Sequence, residues 1–142
     1  MQTDLDANKA IARAFFERFD ANDLDGVMAL FADDATFTVP GKPDEMRSAG
    51  VYDKARIRRL FDRMTSQLPA GLRMSISLLV AEGDTVIAEA SSRGDFPDGR
   101  VYDQRYLTLF RIADGRIAEV REYNDTLHAH RVWISPAANT PG

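Results

Sequence analysis

The chain has 142 residues, 44% of them hydrophobic, a formal net charge of −4 at pH 7 and no cysteine. These values fit one globular domain and exclude disulfides, thiolate catalysis and cysteine-bound metals. Charges of both signs are interspersed, so we expect no nucleic-acid partner. The N-terminus is polar and acidic, and no apolar run approaches the ~20 residues of a membrane helix. We therefore expect a soluble, cytoplasmic protein with no membrane partner.

Periodic apolar residues bounded by capping and turn residues predict three helices and one strand in the first half of the chain. These elements cover residues 4–21 and 24–31 as helices, 35–39 as a strand and 54–67 as a helix. Asp4 or Asp6 can cap the first helix, and Asp53 can cap the third. Residues 40–50, rich in proline and glycine, read as a loop that is either functional or a plain surface connection.

The second half of the chain predicts four antiparallel strands. They cover residues 74–81 and 85–96 and the two arms of a hairpin within 103–125. Small residues in the middle of the second strand let a sheet bend or leave space above it. A run of helices followed by a run of strands predicts an α+β fold, with the helices on one face of the sheet. We expect a single domain over residues 1–136 and a frayed tail over 137–142.

Asp114 and Gly115, between two alternating runs, give the strongest hairpin signal in the chain. A two-residue turn places Glu122 opposite Leu107. A three-residue turn, with Gly115 as a bulge, places Glu122 opposite Tyr106. We favour the three-residue turn because it separates the side chains better between the two faces of the hairpin.

In that register, one face of the hairpin is apolar toward the turn and polar toward the far end. Its residues are Gln104, Tyr106, Thr108, Phe110, Ala118, Val120, Glu122 and Asn124. Glu122 is the only ionisable carboxylate on this face, and a carboxylate among apolar neighbours loses solvation, which raises its pKa. A carboxylate of this kind suits general acid or base catalysis.

Three segments, residues 25–35, 106–117 and 121–125, resemble the SnoaL-like and ketosteroid-isomerase-like group of the nuclear transport factor 2-like superfamily. The resemblance implies a cone of three N-terminal helices on a curved antiparallel sheet, also called cystatin-like. It further implies a homodimer formed through the outer face of the sheet. Members of the group include isomerases, polyketide cyclases, epoxide hydrolases, dehydratases and proteins without catalytic activity.

The resemblance does not extend to the steroid isomerase residues. Where those enzymes carry a catalytic Asp, a Tyr and a protonated Asp, this chain has Val39, Phe15 and Thr108. Epoxide hydrolases of the group carry an Arg and an Asp at positions that fall near Ala90 and Ser92 here, with Arg93 and Asp95 close by. Glu122 matches an acidic site position on the last strand.

These considerations predict a cofactor-independent enzyme that uses acid/base chemistry on a small hydrophobic or alicyclic molecule. The reaction would be of the isomerase, cyclase, dehydratase or epoxide-hydrolase type, and the alternative is a non-catalytic ligand-binding or dimerisation protein. The candidate catalytic residues are Glu122 and Tyr106. The candidate substrate contacts are Gln104, Asn124, Thr108, Tyr52, Phe15 and Phe110. We expect no metal, and leave open a role for Arg93 with Asp95 or for His128 with His130.

Overall fold

A computed structural model describes residues 4–134, so the predicted tail, residues 137–142, and the end of the domain at residue 136 lie outside the described residues. The helices are α1 (Leu5–Asp20), α2 (Leu24–Ala29), α3 (Lys54–Thr65) and α4 (Thr126–Ala129), which continues into a π-helical turn (His130–Ile134). The strands are β1 (Phe31–Val39), β2 (Gly50–Asp53), β3 (Arg73–Glu82), β4 (Thr85–Asp95), β5 (Val101–Ala113) and β6 (Arg116–Asn124). The predicted α+β class is confirmed.

Aspartate side chains begin the three N-terminal helices. Asp4 accepts a hydrogen bond from the backbone N–H of Ala7 at 2.8 Å, and Asp53 accepts one from Arg56 at 2.8 Å. Asp23 caps α2 in the same way. These bonds satisfy N–H groups that have no partner within the helix, which is why the predicted helix starts are close to the observed ones.

The strands form one curved, open sheet of six strands in the order β2-β1-β6-β5-β4-β3. All neighbouring strands are antiparallel except β1 and β6, which are parallel. The sequence had predicted an antiparallel sheet, and this one pair differs from that prediction. Strand β2 was not predicted, and Phe31 begins β1 instead of ending α2. The extended backbone buries Phe31 and Ala35 while Asp33 and Asp34 stay exposed, so the two aspartates do not interrupt the strand.

The predicted register of the β5–β6 hairpin was wrong. Asp114 and Gly115 have φ values of 53° and 74°, as in a two-residue hairpin turn with positive φ at both central positions. A bulge then adds one residue to β6 beyond the turn, so that Glu122 pairs with Thr108 rather than with Tyr106 or Leu107. The two-residue turn and the bulge together shift the pairing by two residues relative to the prediction. Because side chains alternate between faces with a period of two, Thr108 and Glu122 still lie on one face, as predicted.

The bulge also changes one assignment near the turn. Ile117 was predicted on the outer face, but it pairs with Ile112 and both side chains are buried. Ala118 is the residue without a cross-strand partner.

The inner face of the sheet carries the helices and the hydrophobic core. Its β4 positions are small and buried, namely Ala88, Ala90, Ser92 and Gly94. A Cβ on Gly94 would lie 2.8 Å from a methyl carbon of buried Leu68, so this position holds the segment after α3 close to the sheet. Above them, the ring of Phe15 packs against Phe16, Phe19, Phe31, Phe61 and Phe110. No helix in residues 4–134 is long and apolar enough to cross a membrane.

The aromatic cluster predicts a strong effect of shortening Phe110, which has no exposed surface and contacts Phe15 and Phe16 edge to face. Phe110→Ala should lower the free energy of unfolding by about 3–5 kcal/mol, because it removes buried apolar surface and leaves a cavity. Urea unfolding followed by circular dichroism measures this change. Asp103→Ala, which truncates an exposed side chain on the same strand, should change stability by less than about 0.5 kcal/mol. Equal effects of the two substitutions would contradict the assignment of the core.

Candidate active site

A cavity of about 450 Å³ lies between the inner face of the sheet, the helices α1 and α3, the loop after β1 and the C-terminal helical turn. This volume is within the range of small-molecule sites. Aromatic and aliphatic side chains form most of its wall. The polar residues in the wall are Arg47, Ser48, Tyr52, Arg63, Gln67, Tyr102, Tyr106, Thr108, Glu122 and Asn124. The phenylalanine cluster therefore leaves room for a ligand.

Glu122 is the only acidic residue in this wall among the described residues. It projects from β6 next to Thr108 on β5 and is half-buried, with its exposed surface toward the cavity. Burial raises the pKa of Glu122 to about 7, because the charged form loses solvation. The carboxyl group therefore exchanges a proton near neutral pH.

Asn124 lies two residues beyond Glu122 on the same face of β6, as the alternation of a strand requires. Its Nδ2 donates a hydrogen bond to Oε2 of Glu122 at 3.0 Å, and this bond lowers the pKa of Glu122 against the effect of burial. The Oδ1 atom of Asn124 is buried and has no hydrogen-bond partner among the described residues. Asn124 thus holds the carboxyl group in position.

Two tyrosines of β5 lie in the same part of the cavity wall. Burial raises the pKa of Tyr102 to about 12 and holds the pKa of Tyr106 well above its ordinary value, and the negative charge of Glu122 adds to both shifts. Both groups are neutral hydrogen-bond donors near neutral pH. The hydroxyl of Tyr106 lies 2.8 Å from Oγ of Ser92, and the hydroxyl of Tyr102 accepts a hydrogen bond from Nε2 of Gln104 at 3.3 Å. The sequence prediction missed Tyr102, although the alternation would have identified it if β5 had been extended to its observed start.

Gln104 was predicted to contact substrate, but its side chain is fully buried and does not line the cavity. Its Nε2 donates to the carbonyl oxygen of Asp125 at 3.0 Å, and its Oε1 accepts from the backbone N–H of Asp125 at 3.1 Å. Both ends of the side-chain amide of Gln104 are thus hydrogen-bonded to the backbone of Asp125, just after β6. Gln104 therefore fixes the start of α4 and orients Tyr102.

Phe110, also predicted as a substrate contact, lies behind Phe15 and Phe16 and does not line the cavity. The other predicted substrate contacts, Asn124, Thr108, Phe15 and Tyr52, do line the cavity. Thr108 and Phe15 contribute nearly buried surfaces to the wall. Tyr52 lines it from β2, with its hydroxyl donating to the carbonyl oxygen of Ser48 at 2.8 Å.

The C-terminal segment closes one side of the cavity as a helical turn, a conformation that the sequence did not predict. Trp133 lines the cavity and packs edge to face on Phe96 and on Tyr102. Arg100 stacks on Phe96 and donates a hydrogen bond to the carbonyl oxygen of Val132 at 2.6 Å. The turn is thereby attached to the sheet at the same end as Tyr102.

The two residue pairs left open by the sequence do not line the cavity, although the ring of His128 stacks on Tyr102. Arg93 and Asp95 form an exposed ion pair at 3.5 Å on β4. His128 lies in α4, where its Nε2 accepts a hydrogen bond from the backbone N–H of Asp103 at 3.0 Å. No group of three or more potential metal-binding side chains is found in residues 4–134.

The sequence profile of the SnoaL-like domain matches residues 12–120. Similar solved structures include PrhC from Penicillium brasilianum, which is 15% identical with a TM-score of 0.83 over 96% of this chain and 92% of that chain. An NTF2-like protein of unknown function from Burkholderia pseudomallei is 22% identical, with a TM-score of 0.75 over 90% and 98% of the two chains. IdmH from Streptomyces antibioticus, described as a candidate polyketide cyclase, is 22% identical, with a TM-score of 0.72 over 85% and 94%. At these identities the likeness shows the fold, and it confirms the resemblance recognised in the sequence. No curated protein shows significant sequence similarity to the chain.

The bond between Asn124 and Glu122 predicts a measurable change in titration. Asn124→Leu should raise the pKa of Glu122 above its value of about 7, because the substitution removes a donor that stabilises the charged carboxylate. Carboxyl carbon chemical shifts recorded against pH report this pKa directly. Asn8→Leu, at a partly exposed position of α1 outside the cavity, is the matched control and should leave it unchanged. A wild-type pKa near the ordinary value of 4.5, or no change in Asn124→Leu, would contradict the described environment.

Proposed function

The chain belongs to the SnoaL-like domain family, and from that premise we propose that it is a cofactor-independent enzyme that moves a proton on a small hydrophobic or alicyclic molecule. The observation that carries this proposal is Glu122, a carboxyl group with a pKa of about 7 in the wall of a largely apolar cavity. A general acid or base works best when its pKa lies near the working pH. Glu122 meets that condition, and it is the only acidic group in the described part of the wall.

In the proposed reaction, ionised Glu122 accepts a proton from a carbon next to a carbonyl group of the substrate. The electron pair of the broken C–H bond moves toward the carbonyl oxygen. The neutral hydroxyls of Tyr102 and Tyr106 are the donors available to stabilise the developing negative charge, as in an oxyanion hole. The protonated carboxyl group then returns the proton to another atom of the same molecule. This series of proton-transfer steps fits isomerase, cyclase and dehydratase reactions. Polyketide cyclase is the description given to IdmH.

Asn124 and Gln104 have supporting roles in this scheme. Asn124 fixes the orientation of Glu122 through its hydrogen bond, and Gln104 fixes Tyr102 and the chain at Asp125. The apolar wall excludes water, which strengthens the electrostatic interactions inside the cavity. One acid/base group of this kind typically contributes about 10²–10⁴-fold to a rate.

Hydrogen–deuterium exchange tests the proposed proton transfer and does not require the natural substrate. A panel of cyclic ketones is incubated with the protein in D₂O, and proton NMR follows the loss of signal next to the carbonyl. Wild-type protein should accelerate exchange for at least one ketone, and Glu122→Gln should lower that rate by about 10²–10⁴-fold, because the amide cannot accept the proton.

The control for this experiment is Glu82→Gln, which removes an exposed carboxylate at the end of β3, outside the cavity. It should exchange at the wild-type rate. Ketones that bind without exchange would instead support the alternative, a ligand-binding protein without turnover. Equal rates in wild type and Glu122→Gln would remove Glu122 from the mechanism.

We also propose that the protein forms a homodimer through the outer face of its sheet. The large apolar side chains exposed there are Leu78, Val80, Leu107 and Tyr123. Strand pairing arranges Leu78, Glu89, Leu107 and Tyr123 in a continuous row across β3, β4, β5 and β6. A largely apolar row on an exposed sheet face suits a two-fold interface, in which the same surface is used by both copies.

Light scattering during size-exclusion chromatography tests the dimer. Wild-type protein should elute with twice the chain mass, and Leu107→Glu should shift it toward the monomer, because the substitution places two charges at the centre of the interface. Leu127→Glu is the matched control, since Leu127 is 60% exposed but lies on α4, away from the sheet. A monomeric wild type would contradict the proposed interface.

A further inference from the structure

The charged residues of the cavity wall are divided between its two ends. Among the described residues in that wall, Glu122 is the only anion, and Arg47 and Arg63 are the only cations. Glu122 lies with Tyr102 and Tyr106, whose side chains are buried, whereas Arg47 and Arg63 are exposed to solvent. The two arginines therefore mark the mouth of the cavity and Glu122 its inner end.

Three of the other cations of α3 have partners, and the fourth, Arg59, does not border the cavity. Arg58 pairs with Asp25 at 2.7 Å and with Asp62 at 3.0 Å, and Lys54 lies 3.5 Å from Asp33. Arg56 stacks on Tyr52.

Arg47 and Arg63 differ from these cations. Within residues 4–134, neither has an ion pair or a hydrogen bond to its side chain. They come from separate elements, the loop after β1 and the helix α3, yet both border the same cavity. In a chain with a net charge of −4, two uncommitted guanidinium groups at the mouth of an apolar cavity form a local site for an anion.

We propose that the ligand of this cavity is an amphiphilic anion, with an apolar body inside the cavity and one carboxylate at the mouth between Arg47 and Arg63. This inference rests on the proposed function and names the substrate class for the same site. Guanidinium groups bind carboxylates through charge-assisted, often paired hydrogen bonds. The opposite orientation would bury the carboxylate against Glu122, where desolvation and like-charge repulsion both oppose it. The uncharged end of the molecule is thus the end that reaches Glu122.

The proposal can be tested with two fluorescent probes that differ by one anionic group, N-phenyl-1-naphthylamine and its 8-sulfonate. Trp133 is the single tryptophan of the chain and lines the cavity, so energy transfer from it reports a probe bound there. The sulfonate should bind wild-type protein more tightly than the neutral probe. Each of Arg47→Gln and Arg63→Gln should weaken sulfonate binding by up to about five-fold and leave binding of the neutral probe unchanged, and added salt should reduce the difference.

Arg59→Gln is the matched control, because Arg59 is an exposed arginine of the same helix that does not border the cavity. It should not change the affinity for either probe. Equal sulfonate affinity in wild type and the Arg47→Gln, Arg63→Gln double variant would overturn the inference, as would equal losses for both probes. Binding of these probes involves no proton transfer. The anion site can therefore fail while the exchange catalysed by Glu122 persists, and the exchange can fail while the anion site persists.

Discussion

The site depends on one constraint, the retention of an ionisable carboxyl group inside a cavity that solvates it poorly. The pKa of Glu122 rises from 4.5 to about 7, which corresponds to about 3 kcal/mol of free energy against the charged form. Because the pKa of Glu122 in the folded state lies above that in the unfolded state, Glu122 contributes no cost to stability where it is protonated in both states. Its contribution becomes unfavourable as the pH rises from about 4.5 through about 7, and above that range the full cost remains.

The rest of the fold has to supply that stability, and its construction separates the site from the core. The aromatic cluster around Phe15 is packed, and Phe110 behind it is fully buried. The polar side chains gather at the other end of β5 and β6. Total stabilities of domains are only about 5–15 kcal/mol, so a cost of this size is tolerable only if the neighbouring core is well packed. The β5–β6 hairpin is apolar near its turn and polar at its far end. The same two strands therefore contribute to the packed core at one end and to the polar site at the other.

The side-chain alternation of β5 and β6 was sufficient to place Glu122 and Thr108 on the inner face, but it did not give their register. The turn and the bulge beyond it leave no mark in that alternation. Each shifts the pairing by one residue in the same direction, so the face of Glu122 was preserved while its partner moved by two residues, from Tyr106 to Thr108. Alternation also does not show which residues of the inner face reach the cavity. Gln104 and Phe110 both lie on the inner face. The amide of Gln104 is hydrogen-bonded to the backbone, however, and Phe110 is covered by the aromatic cluster. No local pattern predicts the helical turn at the C-terminus, through which Trp133 reaches the cavity.

The distribution of charge then connects the two ends of the cavity. Among the residues of the wall within 4–134, one anion at the inner end and two cations at the mouth produce a field along the cavity that favours a ligand with its negative charge outward. In the proposed scheme, a carboxylate held at the mouth by Arg47 and Arg63 lies far from Glu122 and therefore raises its pKa little. Charge recognition and proton transfer would then act on opposite ends of one small molecule. The scheme requires an apolar body long enough to separate the two ends, so we expect ligand length to matter as well as charge.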